Sequence, residues 1–164
     1  MRSVVTAVWL LCLGTFLSLN PAGSKAVAPC STRFTGVWEY RQAAGEGVDA
    51  EGERLELTCS RKGLRAVYYG LEREGEEGLF YTAVEVINLT VTGDEIAFVV
   101  PERELFSTRP RDLETVTRHL LPSTGVTRDQ LQLRGRLEQA QLVLTCNAQM
   151  ATCPDRRMVF SRSN

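Results

Sequence analysis

Arg54-Leu55-Glu56-Leu57-Thr58-Cys59 alternates polar and apolar side chains without a break. A period of two puts Leu55, Leu57 and Cys59 on one face and their neighbours on the other, which marks a half-buried β-strand. The same beat recurs along the chain. Gly36-Val37-Trp38-Glu39-Tyr40 places Trp38 and Tyr40 together. After a Lys62-Gly63 turn, residues 64–73 carry Val67, Tyr68, Tyr69 and Leu71. Later, Leu131, Leu133, Gly135 and Leu137 face one way, while Gln130, Gln132, Arg134 and Arg136 face the other. Leu142, Leu144 and Cys146 repeat the pattern, and Arg157-Met158-Val159-Phe160-Ser161-Arg162 ends it.

Residues 79–91 read as one long strand whose apolar phase slips between Val84/Val86 and Ile87/Leu89/Val91. A slip of phase inside a strand predicts a β-bulge near Val86, and bulges bend strands as a closed barrel requires. Thr92-Gly93-Asp94 then turns the chain into 95–100. The stretch 101–129 differs, being punctuated by Pro101, Pro110 and Pro122. A short strand is expected at 104–107, and one short helix within 110–121 with Leu113, Val116 and Leu120 on one face. The total is about eight strands joined mostly by short turns, with no helices alternating between them. The expected fold is all-β: an antiparallel up-and-down barrel, with a β-sandwich as the alternative.

The first 26 residues read differently. Arg2 precedes an apolar run, and Ser24-Lys25-Ala26 fits the small-x-small pattern of signal-peptidase cleavage. The apolar core, interrupted by Gly14, Thr15 and Ser18, is about 16 residues, short of the roughly 20 that span a bilayer. Residues 1–26 are thus expected to be a signal peptide and 27–164 a single barrel domain. Of five cysteines, Cys12 leaves with the signal peptide. Cys30, Cys59, Cys146 and Cys153 remain, and an even number in an exported chain predicts two disulfides. Cys30–Cys59 with Cys146–Cys153 is the favoured pairing; Cys59–Cys146 is the rival. No Cys-x-x-Cys spacing supports zinc, and neither a metal nor a cofactor is expected. Location is expected to be periplasmic or secreted, and the preponderance of Arg over Lys points to a GC-rich, bacterial source. The net charge of -1, with 43% hydrophobic and 24% charged residues, excludes intrinsic disorder and binding of nucleic acid by bulk charge. No later segment is apolar and long enough to span a membrane.

Phe34-Thr35-Gly36-Val37-Trp38 resembles the Gly-x-Trp opening of the first strand in calycins: the lipocalins, fatty-acid-binding proteins, avidins and bacterial metalloprotease inhibitors. In lipocalins this Trp closes one barrel end and packs against a basic residue near the last strand. The resemblance implies that Gly36, Trp38 and Arg162 close the barrel here. It also implies a ligand-binding interior, for which Trp38, Tyr68, Tyr69, Tyr81 and Phe98 are the candidate wall residues. The metalloprotease inhibitors share a cysteine in the second strand, as Cys59 would be, and enter their protease with an N-terminal trunk.

Catalytic groupings are poor. His119 is the single histidine, has no local nucleophile motif, and reads as solvated or capping. Glu72, Glu74, Glu76 and Glu77 read as a solvated turn, and the arginines of the connection (Arg103, Arg109, Arg111, Arg118, Arg128) as a mixed, solvated surface because acids interleave with them. The expected function is a non-enzymatic, exported binding protein for a small apolar or amphipathic ligand. The alternatives are an inhibitor of an exported hydrolase such as a metalloprotease, and a structural envelope protein without a pocket.

Overall fold

The computed structural model describes residues 28–40, 52–74, 78–146 and 157–163. The signal-peptide segment, Cys153, Glu76 and Glu77 lie outside these. Nine strands form one antiparallel sheet: β1 (Gly36–Tyr40), β2 (Glu53–Ser60), β3 (Gly63–Glu74), β4 (Gly78–Glu85), β5 (Ile87–Thr92), β6 (Glu95–Val100), β9 (Leu131–Glu138), β10 (Gln141–Cys146) and β11 (Arg157–Ser163). The connection between β6 and β9 holds β7 (Arg103–Leu105), the helix α1 (Leu113–Thr117) and β8 (Gly125–Thr127).

The sheet order is β4-β3-β2-β1-β11-β10-β9-β6-β5. Its two outermost strands are consecutive in the chain and separated only by Val86. One long strand therefore pairs with β3 through its first half and with β6 through its second. The sheet curls into a nearly closed barrel, not a sandwich, and the expected eight strands become nine because this strand is broken at its bend. The register shows how the bend is made. Ile87 pairs with Val99 and Thr90 with Ala97, so β5 carries one extra residue. Asn88 absorbs it with φ 54°, a left-handed conformation that Asn tolerates better than most residues. The Val86 amide donates to the Ala66 carbonyl at 3.0 Å, tying the bend back to β3.

Inside, every strand contributes its alternate residues. Phe34, Trp38, Leu55, Leu57, Val100, Leu133, Leu142, Leu144 and Phe160 are each no more than 1% exposed. Burying such a side chain stabilises the fold by roughly 2 kcal/mol. At Gly135, opposite Leu144 on β10, a Cβ would run into the Val143 carbonyl and stand 2.8 Å from Leu144 Cα. Glycine is what lets β9 bend this closely over its neighbour, as strand glycines do at barrel corners.

On the outside of β3 and β4, Val67, Tyr69 and Ala83 form a second apolar cluster beneath Leu113 and Val116 of α1. Asp112 caps this helix through the Thr115 amide at 2.7 Å. Its other end stops at His119, φ 52°. Leu120 donates back to Thr115 and His119 to Val116, a Schellman closure. The expected third apolar residue of the face, Leu120, is therefore turned away and 65% exposed.

Gly135→Ala should destabilise the fold by about 1–3 kcal/mol or more through overpacking, read by urea denaturation. A loss below a few tenths would mean β9 can relax. The hydrogen bonds from the Thr115 amide and hydroxyl hold the Asp112 carboxyl below its ordinary value of 3.8. A depressed carboxyl stabilises the folded state above the unfolded value, and that contribution is lost as pH falls through the folded value. Amide exchange at Thr115 should accelerate over that acid range in the wild type. In Asp112→Asn the acid dependence should vanish while the cap survives.

Candidate functional site

The barrel has two ends and an outer wall, and the chemistry is distributed among them. At the first end, residues 28–35 cross the barrel and close it. Phe34 is fully buried, and the Trp38 indole Nε1 donates to its carbonyl at 2.7 Å. The Arg162 guanidinium lies over the Trp38 ring, 4.7 Å from its centroid, and donates to the Arg33 carbonyl at 2.6 Å. Trp38 and Arg162 are direct cross-strand partners in β1 and β11. Gly36 has φ 130°, which disfavours any side chain, and its open face carries the Arg162 stem, 3.5 Å from where a Cβ would sit. The Gly36-Val37-Trp38 motif thus has a local cause: glycine makes the turn and leaves the path by which arginine reaches the indole. Cys30 and Cys59 form a disulfide that fixes this lead-in to β2. Closing a loop of this size contributes about 3–4 kcal/mol in the chain-entropy account. Cys146 is also disulfide-bonded.

At the opposite end sits a charged cluster that the sequence did not announce. Arg103 was expected in a solvated surface; its side chain is 1% exposed. It donates from Nε to Glu72 Oε1 at 2.9 Å and from Nη1 to the Asp129 carbonyl at 2.7 Å, and also reaches the Pro101 carbonyl. Glu72 was expected in a solvated turn; it lies within β3, half-buried and ion-paired to Arg103. Pro101 and Asp129 are where the connection leaves β6 and returns to β9, so one guanidinium clasps both ends to β3. Beside it, burial pushes the Tyr68 phenol well above its ordinary value, and the Glu53 and Glu72 carboxylates add to the shift while Arg103 opposes it. Guanidinium, carboxylate and carbonyls together clasp the connection to β3, with the Tyr68 phenol beside them.

The five candidate wall residues divide. Trp38, Tyr68 and Phe98 share the interior core and are 1–3% exposed. Tyr69 and Tyr81 point outward. Tyr69 lies under α1, with Arg54 stacked 3.9 Å from its centroid and its hydroxyl on Glu56; Tyr81 faces the outer wall, and its backbone pairs with Phe106. The interior aromatics belong to one core cluster with the surrounding leucines and leave almost no surface that water could reach. His119 is exposed and serves as the left-handed stop of α1.

The outer wall of β5, β6, β9, β10 and β11 carries an open groove of about 640 Å³. Register aligns one row across it: Thr90 opposite Ala97, Ala97 opposite Arg134, Arg134 opposite Thr145, and Thr145 opposite Arg157. The neighbouring row holds Glu95, Arg136 and Val143. Glu138 binds Arg136 at 2.6 Å and Arg157 more loosely at 3.6 Å.

No protein-family model, curated protein or solved structure matches this chain. Its class rests on the geometry: a small antiparallel up-and-down β-barrel with a filled core. No helix among the described residues is long and apolar enough to cross a membrane.

Arg103→Ala should cost about 3 kcal/mol, because it strands Glu72 and unties the connection. Arg103→Met, which keeps the volume, should cost less. Chemical denaturation of both variants checks the order; a loss below 1 kcal/mol in Arg103→Ala would remove the clasp.

Proposed function

We propose that this chain is an exported, non-enzymatic binding protein that engages another protein through the outside of its barrel. The observation that carries the reading is the packing of the interior. Trp38, Phe34, Phe160, Leu55, Leu142 and Leu144 are at most 1% exposed, so a small apolar ligand would have to displace side chains to enter. Barrels of about eight strands are narrow enough to fill in this way. Export is supported by the signal-like N-terminal sequence and by the Cys30–Cys59 disulfide, a bond that persists in oxidising compartments.

The resemblance to bacterial metalloprotease inhibitors makes inhibition of an exported hydrolase the leading form of this activity. Their mode of entry does not transfer. The lead-in here is held by the disulfide, by the Ala28 carbonyl bonded to the Leu64 amide, and by buried Phe34. Contact would instead come from the sheet wall.

Two measurements test the reading together. Native mass spectrometry of protein from its own source should show the unliganded mass, and an apolar fluorophore should not bind saturably. The purified protein should slow at least one exported metalloprotease or lysozyme at near-stoichiometric ratios. A co-purified small molecule whose removal changes Trp38 fluorescence would overturn the proposal in favour of a carrier.

A further inference from the structure

The groove on the outer wall has a charge pattern that selects its occupant. The row Thr90, Ala97, Arg134, Thr145, Arg157 contains two cations and no acid. Arg134 has no side-chain partner among the described residues. Among the described residues, the ion pair of Arg157 is the 3.6 Å contact with a carboxylate already held at 2.6 Å by Arg136. Two strand spacings separate Arg134 from Arg157, about 10 Å between backbones. Thr145 alone stands between them, and Ala97 keeps the floor low on the other side of Arg134. The Thr145 hydroxyl is committed to the Arg134 carbonyl at 3.2 Å, so the free donors in this row are the guanidinium groups.

The other side of the groove is mixed in charge, and its one arginine, Arg136, is paired with Glu138. Glu95 and Glu138 line it, with Val143, 6% exposed, as apolar floor. A uniform polyanion such as a sulfated glycan would meet those carboxylates. A peptide places its charges individually and brings small apolar side chains for the floor. We infer that the groove docks an acidic peptide segment of the partner protein, with carboxylates on Arg134 and Arg157. This rests on the protein-binding reading and names the chemistry of the surface that would perform it.

The test uses the full mature chain and a defined probe, a twelve-residue Glu/Ala peptide, with its Gln/Ala counterpart and a heparin-derived oligosaccharide as comparisons. The acidic peptide should bind saturably, weaken with salt, and shift the amide resonances of Ala97, Arg134 and Thr145. Charge-assisted hydrogen bonds of this kind make the expected loss about tenfold for Arg134→Gln and again for Arg157→Gln. Arg128→Gln, exposed in the β6–β9 connection, should leave binding unchanged. Both groove positions are solvent-facing, so thermal unfolding of the variants should match the wild type. Equal binding by the double variant, equal binding of the Gln/Ala peptide, or preference for the oligosaccharide would overturn the inference. An inhibited hydrolase that is still inhibited by R134Q/R157Q would overturn the groove assignment while leaving the protein-binding reading intact.

Discussion

A sheet that hides both of its edges needs one strand that can be an edge twice, and residues 78–92 are that strand. The first half continues from β3, the second half lies against β6, and the two halves differ in which side chains point inward. Such a change requires one residue too many, which is the residue absorbed at Asn88. Without it, either β3 or β6 would present unpaired amides and carbonyls to solvent, a template for association with other chains. Ile87, 38% exposed, keeps the outward phase of the first half because the extra residue comes one position later; only after Asn88 do Leu89 and Val91 turn inward.

Closure of the wall leaves two openings, and they are sealed by unlike means. At one end the seal is the lead-in, a short run of chain with little structure of its own, held by a disulfide and by the stacking of Arg162 on Trp38. At the other, a long connection leaves and re-enters, and a buried guanidinium collects its two ends. The exposed Arg33–Asp94 pair spans the first end but contributes little, since both partners are well hydrated. Buried Arg103 is the opposite case: its charge is tolerable only because carboxylate and carbonyls surround it.

This difference explains what could be read from sequence. Alternation located the strands, because a strand buried on one face must alternate. The slip near Val86 was visible for the same reason. The Trp38–Arg162 contact was accessible through a motif whose members lie in adjacent strands. Arg103 and Glu72 gave no such sign. Each sits among other charged residues, and their 31-residue separation is bridged only by the way the connection folds back. Leu120 fitted the helical face by spacing, yet a left-handed residue one position earlier removed it. Tyr69 and Tyr81 share the composition of the interior aromatics but not their parity, and parity assigns them to the outer wall.

The outer row of Arg134 and Arg157 was hidden for a further reason. It runs across strands, so its members are scattered along the chain and meet only through register. Its usefulness depends on the interior. A hollow barrel can breathe, and side chains on its wall move with it. Here the leucines and aromatics behind β9, β10 and β11 are packed against one another, and Gly135 lets β9 and β10 approach closely. The backbone spacing between the two arginines is fixed before any partner arrives, so binding does not have to order it. In the proposed reading, a full core and a binding surface outside it are thus parts of one design, since the packing that leaves no room for a ligand within is what holds the charges in place without.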